Sequence, residues 1–115
     1  MRSVIVADFT RTYDHLLDSI CRALVSRASN QSPAADLIAV VKPEQDQLVK
    51  AFGIVRTQID GNGDATATVG TLLTALSDSQ VTVASHNPAV LSRAASRGGQ
   101  ALHLSELAPS RLPFV

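Results

Sequence analysis

Apolar residues follow two alternating rhythms along this chain. SVIVA at 3–7 and LIAVV at 37–41 are short unbroken runs, the form of strands buried on both faces. Between them Leu16, Leu17, Ile20, Cys21, Leu24, Val25 and Ala28 recur at helical spacing. Asp8 closes the first run, Thr10 or Thr12 is placed to cap the helix, and SNQSP at 29–33 stops it. Pro43 ends the second run, because proline cannot donate to a ladder and restricts Lys42 before it.

The alternation continues to the C-terminus. Residues 44–52 form a short predicted helix with Leu48, Val49 and Phe52 on one side and Gly53 as its stop. IVRTQI at 54–59 alternates more than the earlier runs, which places a third strand nearer an edge. Gly61, Asn62 and Gly63 form a turn, and Asp64 caps a helix over 65–76 whose Val69, Leu72, Leu73 and Leu76 face the sheet. A fourth strand over 81–84 leads to Asn87 as N-cap with Pro88 at the first helical position. Val90, Leu91, Ala94 and Ala95 make that helix's apolar stripe, ahead of Gly98 and Gly99, a last strand over 101–104 and a helical turn from Ser105. Strand and helix in strict alternation predict an α/β fold: one domain, a mostly parallel sheet of about five strands, and helices on both faces in a Rossmann-like three-layer arrangement.

Composition fits one aliphatic core. The 115 residues are 45% hydrophobic and 17% charged, with no Trp and an aromatic share of 3%. Ten basic and ten acidic residues balance and are spread along the chain, which weakens the case for strong autonomous binding to DNA or RNA. The lone Cys21 has no partner for an internal disulfide, so a reducing, cytoplasmic compartment is expected. No signal peptide is expected, because the apolar run after Arg2 is cut short by Asp8, and no run approaches the ~20 residues of a membrane span.

In open α/β sheets ligands bind outside the carboxyl ends of the strands. That rule selects Asp8, Thr10, Lys42, Asp60, Asp64, Ser85, His86, Asn87, His103 and Ser105 as the residues from which a site would be assembled.

The order VIVADFT, LIAVV, KPEQDQLVKAFGI, IDGNGDATATVGTLL, VTVASHNPAVL resembles the PIN-like domain of the flap-nuclease family, nearest to the five-prime nuclease domain of bacterial DNA polymerase I. The resemblance implies a PIN-like fold and a carboxylate cluster holding two divalent cations, usually magnesium, that cuts a phosphodiester near a duplex-to-single-strand junction. Asp8 matches the metal-binding aspartate of the first strand. The acidic position after the second strand is Val41-Lys42-Pro43, the acidic run opening a later helix is Asp64-Ala65-Thr66-Ala67, and the paired aspartates after the fourth strand fall at or near His86 and Pro88. The helical arch expected after the second strand is missing, and no helix-hairpin-helix region for duplex DNA is expected within these 115 residues.

These departures imply a degenerate, non-catalytic domain that associates with nucleic acid or binds a protein partner, and that needs no cofactor. One alternative is a minimal Mg- or Mn-dependent nuclease using Asp8, Asp60 and Asp64; another is a homo-oligomeric subunit that shares only the fold. Each candidate residue also has a plainer role. Asp8 can make an Asx turn, Asp64 a helix cap and Asp60 a polar turn. His86 could join Asp8 and Asp64 around a transition metal, although no second His or Cys lies at ligand spacing. Thr10, Lys42, Ser85 and Asn87 are ligand-binding candidates by position. Gly61-Asn62-Gly63 has the look of a weak phosphate loop, and Arg56, Arg93 and Arg97 of either a solvated face or a phosphate grip.

Overall fold

The structure is a computed structural model that describes residues 2–59 and 65–107. The chain runs β1 (Ser3–Asp8), α1 (Asp14–Ser29), β2 (Asp36–Val41), a 3-10 turn (Pro43–Gln45), α2 (Asp46–Lys50), β3 (Val55–Gln58), α3 (Ala65–Ala75), β4 (Gln80–Ser85), α4 (Pro88–Ser96), β5 (Gln100–His103) and a second 3-10 turn (Leu104–Leu107). All strand pairs are parallel, in the order β3-β2-β1-β4-β5.

Side-chain alternation along the strands divides the core in two. Ile5, Ala7, Ala39, Val41 and Ala84 point to one face, where they meet Leu17, Ile20, Cys21 and Leu24 of α1 and Val49 of α2. Val4, Val6, Val40, Val81 and Val83 point to the other, against Val69 and Leu73 of α3 and Val90 and Ala94 of α4. Both faces of β1, β2 and β4 are therefore covered, which is why the first two carry unbroken apolar runs and β4 is apolar but for Thr82 between its ends. The result is the expected three-layer, Rossmann-like sandwich.

Strand order also says where a site belongs. From β1 the chain steps outward to β2 and β3 with α1 and α2 on one face, then returns through α3 to β4 and β5 with α4 on the other. The direction of winding reverses between β1 and β4, and the carboxyl ends of those two strands flank the crevice where open sheets take ligands.

Several local expectations are corrected. Neither Thr10 nor Thr12 caps α1: Tyr13 occupies the N-cap without a side-chain bond, since the Thr10 hydroxyl is engaged by Asp8 and Thr12 is buried. The helix expected over 44–52 is a 3-10 turn followed by one short α-helical stretch, because the chain drops directly from β2 into it at Pro43. Leu48 consequently points outward, 47% exposed, while Val49 is buried. Gly53 does terminate this segment, at φ +74°, where a side chain would be strained. The stripe of α4 is narrower than its composition, with Val90 and Ala94 buried but Ala95 exposed and Leu91 only partly covered. Gly99 lies close to the backbone around it: a Cβ there would sit 3.2 Å from the Val81 carbonyl oxygen, a tight contact. β3 is an edge strand, as its alternation predicts.

Candidate functional site

The end of β1 carries a carboxylate that is wholly buried. Asp8 is paired by register with Val40 of β2, one residue past the last β1–β4 pair, Ala7 with Ala84, and its side chain reaches Ser85 of β4. Its Oδ1 accepts from the Thr10 N–H at 3.0 Å and from the Thr10 hydroxyl at 2.6 Å. Its Oδ2 accepts from the Ser85 hydroxyl at 2.7 Å. The Ser85 oxygen in turn accepts from the Asn87 N–H at 2.8 Å, and Asn87 Oδ1 accepts from the Ala89 N–H at 3.0 Å, capping α4. A continuous chain of hydrogen bonds thus runs from the β1 turn across the switch point into the first turn of α4. It joins four of the residues selected from sequence: Asp8, Thr10, Ser85 and Asn87.

The arrangement defines what Asp8 can do. Oδ1 already has two donors and Oδ2 one, so three of the carboxylate's roughly four acceptor sites are engaged by Thr10 and Ser85. Among the described residues no group of three His, Cys, Asp or Glu side chains could hold a metal ion. Asp60, Gly61, Asn62, Gly63 and Asp64, with the cap and the phosphate loop expected there, lie outside the described residues. On the described residues the donor set does not fit the two-cation site that the resemblance implies. The α4 N-terminus offers no anion site either, since Pro88 has no N–H and Asn87 occupies the next donor.

Lys42 does not join the switch point. Its ammonium lies 3.7 Å from Glu44, and its backbone N–H donates to Gln45 Oε1 at 2.9 Å. Gln45 is the residue that sequence reasoning missed. Fully buried, it also donates from Nε2 to the carbonyl of Phe9 at 2.7 Å and, more weakly, to that of Thr12 at 3.4 Å. It therefore ties the loop after β1 to the loop after β2. The available signal was its position three residues past Lys42, where a Gln side chain reaches back to the N-cap N–H. Nearby, the buried Thr12 hydroxyl has no partner.

His86 stands at the end of β4, partly buried, with its ring edge-on to that of His103 at a centroid distance of 5.4 Å. The second histidine, expected to be absent, comes from β5, whose His103 is in register with Ser85. Sequence separation hid this neighbour. His103 Nδ1 lies 3.2 Å from the Ser105 N–H and 2.7 Å from its hydroxyl. A backbone N–H can only donate, so this contact uses Nδ1 as the acceptor. Burial holds the His86 imidazole below its usual 6.5, His103 acts in the same direction and Asp8 opposes it. Because folding disfavours charged His86, its contribution to stability is complete above pH 6.5 and is lost as pH falls toward the lowered folded value. NMR titration of the His86 ring is expected to give a midpoint below 6.5, and His86→Gln to flatten the urea midpoint between pH 7.5 and 5.5.

The arginines do not converge. Arg56 pairs with Asp46 at 2.9 Å and with the Ile54 carbonyl at 2.8 Å beside α2, on the opposite face from α4. Arg97 donates to Thr74 across the α3–α4 contact, where the Arg93 guanidinium passes over Gly70. A cavity of about 680 Å³ opens at the amino ends of the strands, lined by Arg2, Asp36, Leu37 and Val55, away from the switch point. No helix among the described residues is long and apolar enough to cross a membrane. No family model, curated protein or solved structure matches the chain.

Proposed function

We propose that this chain is a PIN-like domain of the flap-nuclease kind that does not cut, and that it serves as a binding module in contact with single-stranded nucleic acid. The observation that carries the reading is the clasp on Asp8, whose carboxylate has three of its roughly four acceptor sites taken by Thr10 and Ser85 where a nuclease would turn them to a cation. Support for the ligand class comes from Tyr13, 72% exposed beside the end of β1 and stacked on His15 at 5.7 Å, with the exposed Arg11 in the same loop. An open aromatic face beside a cation suits a nucleobase and its phosphate. The balanced net charge makes such binding weak and sensitive to salt.

The test is incubation with flap and single-stranded substrates in magnesium and in manganese, beside Asp8→Ala. The expected result is no cleavage, with single-strand binding that weakens as salt rises and that loses roughly 1–3 kcal/mol in Tyr13→Ala. Cleavage that disappears in Asp8→Ala would establish the minimal nuclease instead, with Asp60 and Asp64 as its other carboxylates and Mg or Mn as its cofactor. A second reading, a protein-binding or self-associating subunit, is favoured by Val25, Leu48 and Val55. These are three of the four exposed large apolar side chains among the described residues, and they lie on α1, α2 and β3. Light scattering showing a stable oligomer, with no salt-dependent nucleic-acid binding, would select it.

A further inference from the structure

The two edges of the sheet are finished differently. Parallel pairing turns alternate residues of an edge strand toward its neighbour and the rest outward. The Ile59 N–H reaches the Val41 carbonyl at 3.0 Å and Thr57 is in register with Val40, so Val55, Thr57 and Ile59 serve β2. Arg56 and Gln58 therefore present their backbone N–H and C=O groups to the outside. On β5 the outward N–H of His103 is already taken by Glu106 Oε2 at 3.3 Å. No strand among the described residues lies beyond β3. Nor does β3 carry the usual guards of an edge: VRTQ holds no Pro or Lys, and its one charge, Arg56, is turned back onto Asp46 and the Ile54 carbonyl. Val55, in register with Ile38 on the face of α3 and α4, is 63% exposed beside this open edge.

We propose that two copies of this chain join by antiparallel pairing of β3 with β3, with Thr57 facing the partner's Thr57 across a twofold axis. Such pairing rests on the self-associating reading and names the surface that performs it; single-strand binding is independent of it. Three constraints fix the register. Only outward residues can exchange backbone hydrogen bonds, so the bonded pairs are drawn from Arg56 and Gln58. Arg56 opposite its own copy sets like charges together, which is destabilising, and centring on Gln58 carries the pairing past the end of the strand. Arg56 opposite the partner's Gln58 has neither fault. Each such pair exchanges two backbone hydrogen bonds, the two threonines form the close pair between them, and the exposed Val55 comes opposite the partner's Ile59. With ten basic and ten acidic residues, no net charge holds the copies apart. The interface is small, so the dimer forms and separates with concentration.

The experiment is light scattering and amide hydrogen exchange of the full chain between about 10 μM and about 1 mM, followed by cysteine cross-linking. The mass is expected to rise from monomer to dimer over that range. With it, exchange at the Arg56 and Gln58 amides should slow on the order of fivefold, the worth of one hydrogen bond, while Thr57 and Ile59, already held by β2, stay as they are. Thr57→Cys should cross-link the dimer on mild oxidation, because the facing residues of a close pair stand about 4.5 Å apart at Cα. Gln58→Cys should not, because its own counterpart lies two residues further along the strand. The buried Cys21 does not compete. A monomer at every concentration would overturn both the pairing and the self-associating reading. A dimer in which Arg56 and Gln58 exchange is unchanged, or in which Gln58→Cys cross-links in place of Thr57→Cys, would overturn the pairing alone. The mass and exchange measurements use the unaltered chain, so a misfolded variant does not decide the matter.

Discussion

Asp8→Ala is expected to lower folding stability by about 3 kcal/mol, read as a shift of the urea midpoint at an unchanged slope. The substitution removes three hydrogen bonds to a buried carboxylate and leaves the Ser85 hydroxyl with no acceptor at the switch point. Asp8→Asn should cost less, since one amide oxygen can still accept from Thr10 and Ser85 Oγ can accept from the new amide. The sign of the effect is as informative as its size. An aspartate held among other carboxylates for a cation is under like-charge repulsion, so its neutralisation raises stability in the absence of metal. Loss of stability marks a structural clasp, and a gain marks a cation site completed by Asp60 and Asp64.

A loss of comparable size, about 3 kcal/mol, is expected for Gln45→Leu, although the two side chains are close in volume. Leucine fills the space but abandons the Lys42 N–H and the carbonyls of Phe9 and Thr12, all of which Gln45 serves. Gln45→Glu is expected to be worse at neutral pH than in mild acid. An ionised carboxylate would face two carbonyl oxygens that need a donor, and a protonated one restores a single O–H. Urea denaturation of both variants at pH 7.5 and pH 5 distinguishes this from a simple packing defect, which has no such pH dependence.

The sheet was legible because a strand covered on both faces must be apolar throughout. SVIVA and LIAVV could hardly be anything else, and the more alternating third run became the edge strand. Asn87 and Pro88 were legible because a cap and its first helical residue are neighbours in sequence, so the chemistry is local. What sequence hid was contact between elements. Ser85 reads as an ordinary residue at a strand end until parallel pairing brings it to Asp8, 77 residues away. Gln45 reads as a polar helix residue until the loop after β1 folds over it, and His86 reads as solitary until β5 docks. The error over Leu48 has the same origin: helical spacing identifies an apolar side but not whether the helix is long enough for the whole side to be covered. The rule that ligands gather at the carboxyl ends of strands picked out Asp8, while its hydrogen-bond partners were visible only in the fold.

The strand order β3-β2-β1-β4-β5 has a consequence for the order in which the protein can be completed as it is made. When β1, β2 and β3 have left the ribosome they can pair among themselves, yet β1 is then a border strand rather than the centre of the sheet. Its Val4 and Val6 lack their covering helices, and the flank later taken by β4 is a row of unpaired backbone groups. Nascent chains stalled before Gln80 are thus the species most prone to pair with one another. The bond from Ser85 to Asp8 can close only once β4 arrives, so it also records that the vulnerable interval has ended.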